Sequence, residues 1–293
     1  EINRSIRNKS FFKKPALIKA FKYSRIHLLG MISDQGVHSH TNHLFALLEF
    51  AKKQKTKEVF IHAITDGRYV PERSAINFIK SIQAKIKALH MEDTARIATI
   101  IGRFYAMDRD SNWNRTKKAY DLLTLGAGTH EKDPIEAVKH AYRRGIKTDY
   151  YIDQIVLDKN GLINNKDAVV FWNYRSDRSR QLTWCFTGEE KLHTATVQPF
   201  FVCLGPYSAK APVIFPTPII KNNLGILIAN KGLRQLRIAE TEKYAHVTYF
   251  LNSQIEKPLA NEDRILIPSP KCPSYAEKPE MSAYKVTSKL LGE

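Results

Sequence analysis

The sequence predicts an α/β protein: a mainly parallel sheet with helices on both faces. Between Arg25 and Val202, short apolar runs bounded by turn residues alternate with stretches whose apolar side chains recur at helical spacing. That alternation is the pattern of βαβ units. The runs are apolar almost throughout, as strands covered on both faces must be. A further observation bears on function. His38, Arg68, Arg103 with Arg109, and Arg175 with Arg178 each fall just past one of these runs. In parallel strands such positions share one edge of the sheet, where ligands of open α/β sheets bind.

Arg25–Gly30 (RIHLLG) reads as the first strand. Leu44, Leu47, Leu48 and Ala51 then share one face of a helix from about Asn42 to Gln54, with Thr41 or Asn42 suited to cap it. Glu58–Ile64 (EVFIHAI) is the second strand, and Ile76, Ile79, Ile82 and Ile86 mark a helix over Ala75–Leu89. Arg96–Ile101 (RIATII), Ala168–Trp172 (AVVFW) and Phe200–Leu204 (FFVCL) are the third, fourth and fifth strands. The prolines of Ala209–Pro218 (AKAPVIFPTP) mark a connector. Two parts are therefore expected, residues 1–217 and residues 218–293. The second should hold a helix at about Ile219–Asn230, strands near Leu236–Ile238 and Ala245–Leu251, and a last helix at Lys285–Leu291. Proline excludes a continuous helix from Ile265–Pro273. This part is short for an independent core.

The chain has 293 residues, 43% of them hydrophobic, with 46 Lys plus Arg against 29 Asp plus Glu and a net charge of +17. Such an excess can attract nucleic acid or an anionic membrane. Here the lysines are dispersed and lack the aromatic interleaving of a single-strand binding groove, so no specific nucleic-acid partner is expected. Cys185, Cys203 and Cys272 are far apart and odd in number. They predict neither a disulfide framework nor a clustered-cysteine metal site, which suits a cytoplasmic location. No apolar run approaches the roughly 20 residues of a membrane span, and no secretory leader is evident, so no membrane partner is expected. The chain begins at Glu1, not methionine, which is expected of a trimmed or partial product.

His38, His40 and His43 form H-x-H-x-x-H. The spacing admits zinc ligation, a capping or structural role, or anion contact by His38. No neighbouring cysteine or carboxylate completes a tetrahedral set. Ser39 between two histidines resembles an activated nucleophile, but adjacent residues rarely reach the geometry of nucleophile and base. Asp66-Gly67-Arg68 reads either as an ordinary turn with a solvated arginine or as a sharp turn that aims Arg68 into the crevice. Gly102–Arg109 packs two arginines, an acid and two aromatics behind the third strand, and Asn173–Arg180 gathers three arginines, an acid and a tyrosine behind the fourth. Asp177 is placed to hold one arginine and pre-organise its fork. Guanidinium groups gathered this way favour a small, multiply charged anion such as a phosphorylated carboxylate.

These motifs occur in a fixed order with two more, Leu236–Thr248 (LRIAETEKYAHVT) and Pro279–Tyr284 (PEMSAY). Together with Ser33–His40 (SDQGVHSH) they closely resemble the cofactor-independent (2,3-bisphosphoglycerate-independent) phosphoglycerate mutases of the alkaline phosphatase superfamily. The resemblance implies an isomerase that interconverts 3-phosphoglycerate and 2-phosphoglycerate through a phosphoserine, in glycolysis and gluconeogenesis. It implies a substrate-binding domain over 1–217 and an incomplete α/β phosphatase-like segment over 218–293. It also implies two divalent metal ions, usually Mn2+, and a monomer. Matched motif by motif, His38, Arg68, Tyr69, Arg103, Arg109, Arg175 and Arg178 fall on substrate-binding positions, and Lys243 on a phosphatase-side lysine that reaches the same ligand.

Two positions depart from the family pattern. Gln35 stands where a glycine is usual, and Tyr69 where an aspartate that contacts substrate is usual. The second exchange removes an anionic acceptor and adds bulk. The nucleophilic serine and the metal ligands of the family are expected to precede Glu1 and follow Glu293. This polypeptide alone is therefore expected to bind phosphoglycerate weakly without isomerising it, either as a phosphoglycerate-binding remnant or as one part of a split enzyme.

Overall fold

The computed structural model describes residues 1–190, 192, 197–217, 220–272 and 274–293. The chain divides into two compact units, Glu1–Pro216 and Thr217–Glu293.

The first unit is built on seven strands. They are β1 (Arg25–Ile32), β2 (Glu58–Thr65), β3 (Ala95–Gly102), β4 (Thr129–His130), β5 (Ile155–Val156), β6 (Ala168–Phe171) and β7 (Phe200–Cys203). Their order across the sheet is β4-β5-β3-β2-β1-β6-β7. All neighbours are parallel except β3 and β5. The chain steps outward from β1 to β2 and β3, then returns to the other side of β1 with β6 and β7. This reversal is a topological switch point, and the crevice it opens lies beyond the carboxyl ends of β1 and β6.

The five strand readings hold within a residue or two because the runs are buried on both faces. Ile26, Leu28 and Ile32 of β1 join Ile61 and Val170 in one core layer, whereas Leu29 and Met31 join Ile64, Ile101 and Phe171 in the other. The helices Thr41–Gln54, Ala75–Ala88 and Pro134–Arg143 cover the first layer. Trp113–Leu125 and Arg180–Thr187 cover the second. Gly30 marks a close approach: a Cβ there would lie 2.5 Å from the Trp172 ring.

The cap of Thr41–Gln54 differs from expectation. His40 occupies the cap position, and its Nδ1 accepts from the Asn42 amide at 3.1 Å. Thr41 is instead held by its hydroxyl to the Ser33 carbonyl at 3.0 Å.

In the second unit β8 (Gln235–Glu240) pairs in parallel with β9 (Glu262–Ile267). The first helix there runs Leu224–Asn230, later than the expected start. Asn223 caps it by accepting from the Ile226 amide at 3.0 Å; Pro218 and Ile219 lie outside the described residues. The strand expected at Ala245–Leu251 is not formed. The α-helix Thr241–Ala245 passes directly into a wider π-helical turn over His246–Phe250. Val247, Thr248, Tyr249 and Phe250 are residue types that favour strands, a preference that local packing overrides. Thr248 donates to the Tyr244 carbonyl at 2.7 Å, and the Asn252 amide to Thr248 at 2.9 Å. Thr248, Tyr249 and Asn252 are the buried positions, a helical spacing that a period-of-two reading misses. The last helix spans Ala283–Leu291. Among the described residues no helix is long and apolar enough to cross a membrane.

Candidate functional site: an arginine-rich rim at the switch point

The loop after β6 is tied to β1 and to the loop after it. The Tyr174 amide donates to the His38 carbonyl at 2.8 Å, and Asn173 Oδ1 accepts from the Met31 amide at 2.9 Å. Ser39 donates its hydroxyl to the Met31 carbonyl at 2.6 Å, which gives this serine a structural role. The loop turns at Gly36, whose φ is +68°, whereas Gln35 is not among the residues of positive φ. A side chain at position 35 therefore costs no backbone strain.

Arg103 is drawn in from the end of β3 and is only 2% exposed. Its Nη1 donates to Asp66 Oδ1 at 2.7 Å, and its Nη2 lies 3.1 Å from His38 Nε2. A guanidinium can only donate, so Nε2 of His38 accepts and the ring proton sits on Nδ1. Burial, then the charge of Arg103, pushes His38 down to about 2, so the ring is neutral. Its buried Nδ1 has no hydrogen-bond partner among the described residues. Asp66 is steadied by the Ser33 hydroxyl at 2.9 Å. Tyr69, 37% exposed, lays its ring over this pair. The Arg103 guanidinium carbon is 4.8 Å from the ring centroid, and the His38 ring is 5.7 Å away.

A second cluster joins the loops after β3 and β6. Asp177 accepts from Arg175 Nε at 2.8 Å and Nη2 at 3.1 Å, and from Arg109 Nη1 at 2.8 Å. Burial alone would raise this carboxyl, but Arg175 and the neighbouring cations outweigh it and hold it down to about 2. Arg178 donates to the Met107 carbonyl at 3.2 Å. Burial and the charges of Arg109 and Arg103 pull Arg178 below the ordinary arginine range, though a guanidinium stays charged at neutral pH. Four partly or fully buried arginines thus stand among Asp66, Asp177 and, 3.9 Å from Arg109, Asp110, and they gather many donors where a polyanion could bind.

Of the residues predicted from sequence, His38, Tyr69, Arg103, Arg109, Arg175 and Arg178 lie in these two linked clusters. Arg68 is exposed in the turn after β2, outside the bonded network of the described residues. Lys243 belongs to the second unit, in the helix Thr241–Ala245. The histidine run divides its labour: His38 meets Arg103, His40 caps a helix, and His43 Nε2 lies 2.8 Å from Asn3 Oδ1. Among the described residues no group of three or more His, Cys, Asp or Glu side chains is placed to hold a metal ion. They do not fit a metal centre of their own. Sequence reasoning missed Asp66, the acid that fixes Arg103. Its signal was present: an aspartate at the end of an otherwise apolar strand has to be paired.

A cleft of about 420 Å³ lies elsewhere, lined by Lys22, Tyr23, Ser24, Arg25, Lys166 and Asp167. These residues precede or open β1 and β6, the end of the sheet opposite the arginine rim.

The molecule is thus an α/β protein with a mainly parallel sheet and paired arginines beyond its switch point. The family model described as BPG-independent PGAM N-terminus (iPGM_N) matches residues 2–209. The chain belongs to the BPG-independent phosphoglycerate mutase (PGAM) family. It is 46% identical to 2,3-bisphosphoglycerate-independent phosphoglycerate mutase 1 of Methanosarcina acetivorans, over 99% of this chain and 59% of that protein. It is 44% identical to the 2,3-bisphosphoglycerate-independent phosphoglycerate mutase of Moorella thermoacetica, with the same coverage. Crystal structures of Leishmania mexicana phosphoglycerate mutase at low cobalt concentration superpose with a TM-score of 0.88 at 27% identity, over 98% of this chain and 56% of that one. The chain thus spans somewhat more than half the length of the proteins it matches.

Proposed function

We propose that this chain supplies the substrate-binding part of an isomerase that interconverts 3-phosphoglycerate and 2-phosphoglycerate in glycolysis and gluconeogenesis. In this reading Glu1–Pro216 grips the glycerate, and Thr217–Glu293 is part of a phosphatase-like unit to which Lys243 contributes. The observation that carries the reading is the gathering of Arg103, Arg109, Arg175 and Arg178 at the switch point. A phosphate brings about −1.5 to −2 charges at neutral pH, and phosphoglycerate adds a carboxylate. Arg109 and Arg175, held by Asp177, present a fixed pair of forks for those oxygens, and fixed forks lose little freedom on binding. Neutral His38 keeps Arg103 oriented and offers its Nδ1 proton to a ligand oxygen. Tyr69 supplies a ring face in place of a carboxylate, which leaves the rim more cationic.

The serine that carries the phosphoryl group and the divalent metals, manganese by expectation, are not assigned to any described residue. The 293-residue polypeptide alone is expected to bind phosphoglycerate without turning it over. Formation of 2-phosphoglycerate by the purified polypeptide would overturn that. A cytoplasmic monomer is the setting we assign, in keeping with the three free cysteines. Calorimetric titration with 3-phosphoglycerate tests the pocket directly: Arg175→Ala and Arg103→Ala should each bind at least tenfold more weakly than the unaltered chain. Equal heats from all three would remove the arginine rim from consideration.

A further inference from the structure

Away from the arginine rim, a line of buried polar side chains crosses the sheet. His27 on β1, His62 on β2, Thr99 on β3 and Asp167 just before β6 are all at most 1% exposed. His27 Nε2 lies 3.0 Å from Asp167 Oδ2, and His27 Nδ1 lies 2.9 Å from His62 Nε2. His62 Nδ1 lies 2.8 Å from Thr99 Oγ1. A register shift between β2 and β3 brings Thr99 opposite His62; without it Ala98 would stand there.

One acid sets the direction of every proton in this line. Asp167 is ion-paired with Arg25 at 3.1 Å and also accepts from the Asn164 amide at 3.0 Å. Burial opposes its charge, but the hydrogen bond from His27 and these neighbours hold its carboxyl below the usual range, so it is an acceptor only. His27 must then donate from Nε2, which leaves Nδ1 of the neutral ring as an acceptor. His62 must donate to it from Nε2, so Nδ1 of His62 accepts in turn, and Thr99 supplies its hydroxyl proton. No other assignment satisfies all three contacts while both rings are neutral.

We infer that Asp167, His27, His62 and Thr99 form a proton-ordered latch that ties β1, β2, β3 and the start of β6 together at neutral pH and opens in acid. An added proton, arriving from solvent, has only Nδ1 positions to occupy. On His27 it would meet the Nε2 proton of His62, and His62 would have to swap tautomer. On His62 it would meet the Thr99 hydroxyl, which would have to turn away. Either way the new charge sits inside the sheet. The charged groups around it are already engaged: Asp167 with Arg25, and Glu58 with Arg25 and Arg96, while Arg96 also pairs with Asp158. The Phe60 ring stacks on His27 at 5.2 Å, with Arg25 and Arg96 over the same ring. Burial accordingly lowers both imidazoles, His62 the further. Asp167 also lines the cleft at the amino ends of the strands, which gives the proton a route from solvent. The latched strands are those whose carboxyl ends carry His38, Asp66, Arg103 and Arg175. The inference stands whatever anion the rim binds.

Long-range 1H–15N NMR on the whole chain labelled with 15N-histidine, assigned through backbone couplings, tests it. At neutral pH His27 and His62 should both carry their proton on Nε2, and neither should titrate between pH 8 and pH 5 while the fold persists. His38 should show the opposite tautomer, which serves as an internal reference. A proton on Nδ1 of either latch ring, or a titration of either near 6.5 in the folded chain, would overturn the inference. Independently, urea stability of His27→Gln/His62→Gln should fall less steeply from pH 6 to pH 5 than that of the unaltered chain, by the uptake of about two protons on unfolding. Equal slopes would overturn it too, and if the double variant does not fold, the tautomers of the unaltered chain still decide.

Discussion

Asp177 holds two guanidinium groups on one carboxylate and sets the spacing of Arg109 and Arg175. Removing it takes away the shared anion between two half-buried cations, whose mutual repulsion then rises. Hydrogen bonds to charged groups contribute about 1.5–3 kcal/mol, and 1.4 kcal/mol is tenfold in affinity. Asp177→Ala is therefore expected to weaken 3-phosphoglycerate binding roughly tenfold or more in calorimetry, although no arginine is lost. Tyr69 makes the contrasting case. Its contacts with Arg103 and His38 run through the ring face. Tyr69→Phe should bind 3-phosphoglycerate within about twofold of the unaltered chain, because the ring supplies the cation–π contact. Tyr69→Ala should bind measurably less well.

Among the elements, β1 and β6 meet most tightly where the Trp172 indole lies on Gly30 and donates to the Met31 carbonyl at 3.2 Å. A methyl group has no room there. Overpacking of this kind costs about 1–3 kcal/mol, so Gly30→Ala should lower the urea midpoint of unfolding. The long strands were legible from sequence because strands covered on both faces leave uninterrupted apolar runs. Thr129–His130 and Ile155–Val156 were not, since two residues carry no period. The turn at His246–Phe250 misled because its residue types favour strands while its burial is helical. The arginines of the rim were legible by their position after strands. Their order of burial was not, because it depends on Asp66 and Asp177, whose pairing is a fact of three dimensions.

For the molecule as a whole, neutral buried histidines make stability depend on pH. His38 and His43 are lowered to about 2 and about 4, mainly by burial, with Arg103 the next cause for His38 and His40 for His43. Once unfolded, each takes up a proton near its ordinary value of about 6.5. Their contribution is complete above about pH 6.5 and declines as pH falls toward the folded values. Each such histidine should cost about 1.4 kcal/mol per pH unit below that point. Urea midpoints taken from pH 7.5 to pH 4.5 should fall progressively, and a flat profile would contradict neutral burial of these rings.

The seat of Trp172 has a practical corollary. Its indole is fully screened from water, and the next residues along the chain are Asn173, Tyr174 and Arg175. A fluorophore so enclosed emits toward the blue and reddens once water reaches it. Trp172, one of three tryptophans, is therefore an optical gauge of the joint between β1 and β6, three residues ahead of Arg175.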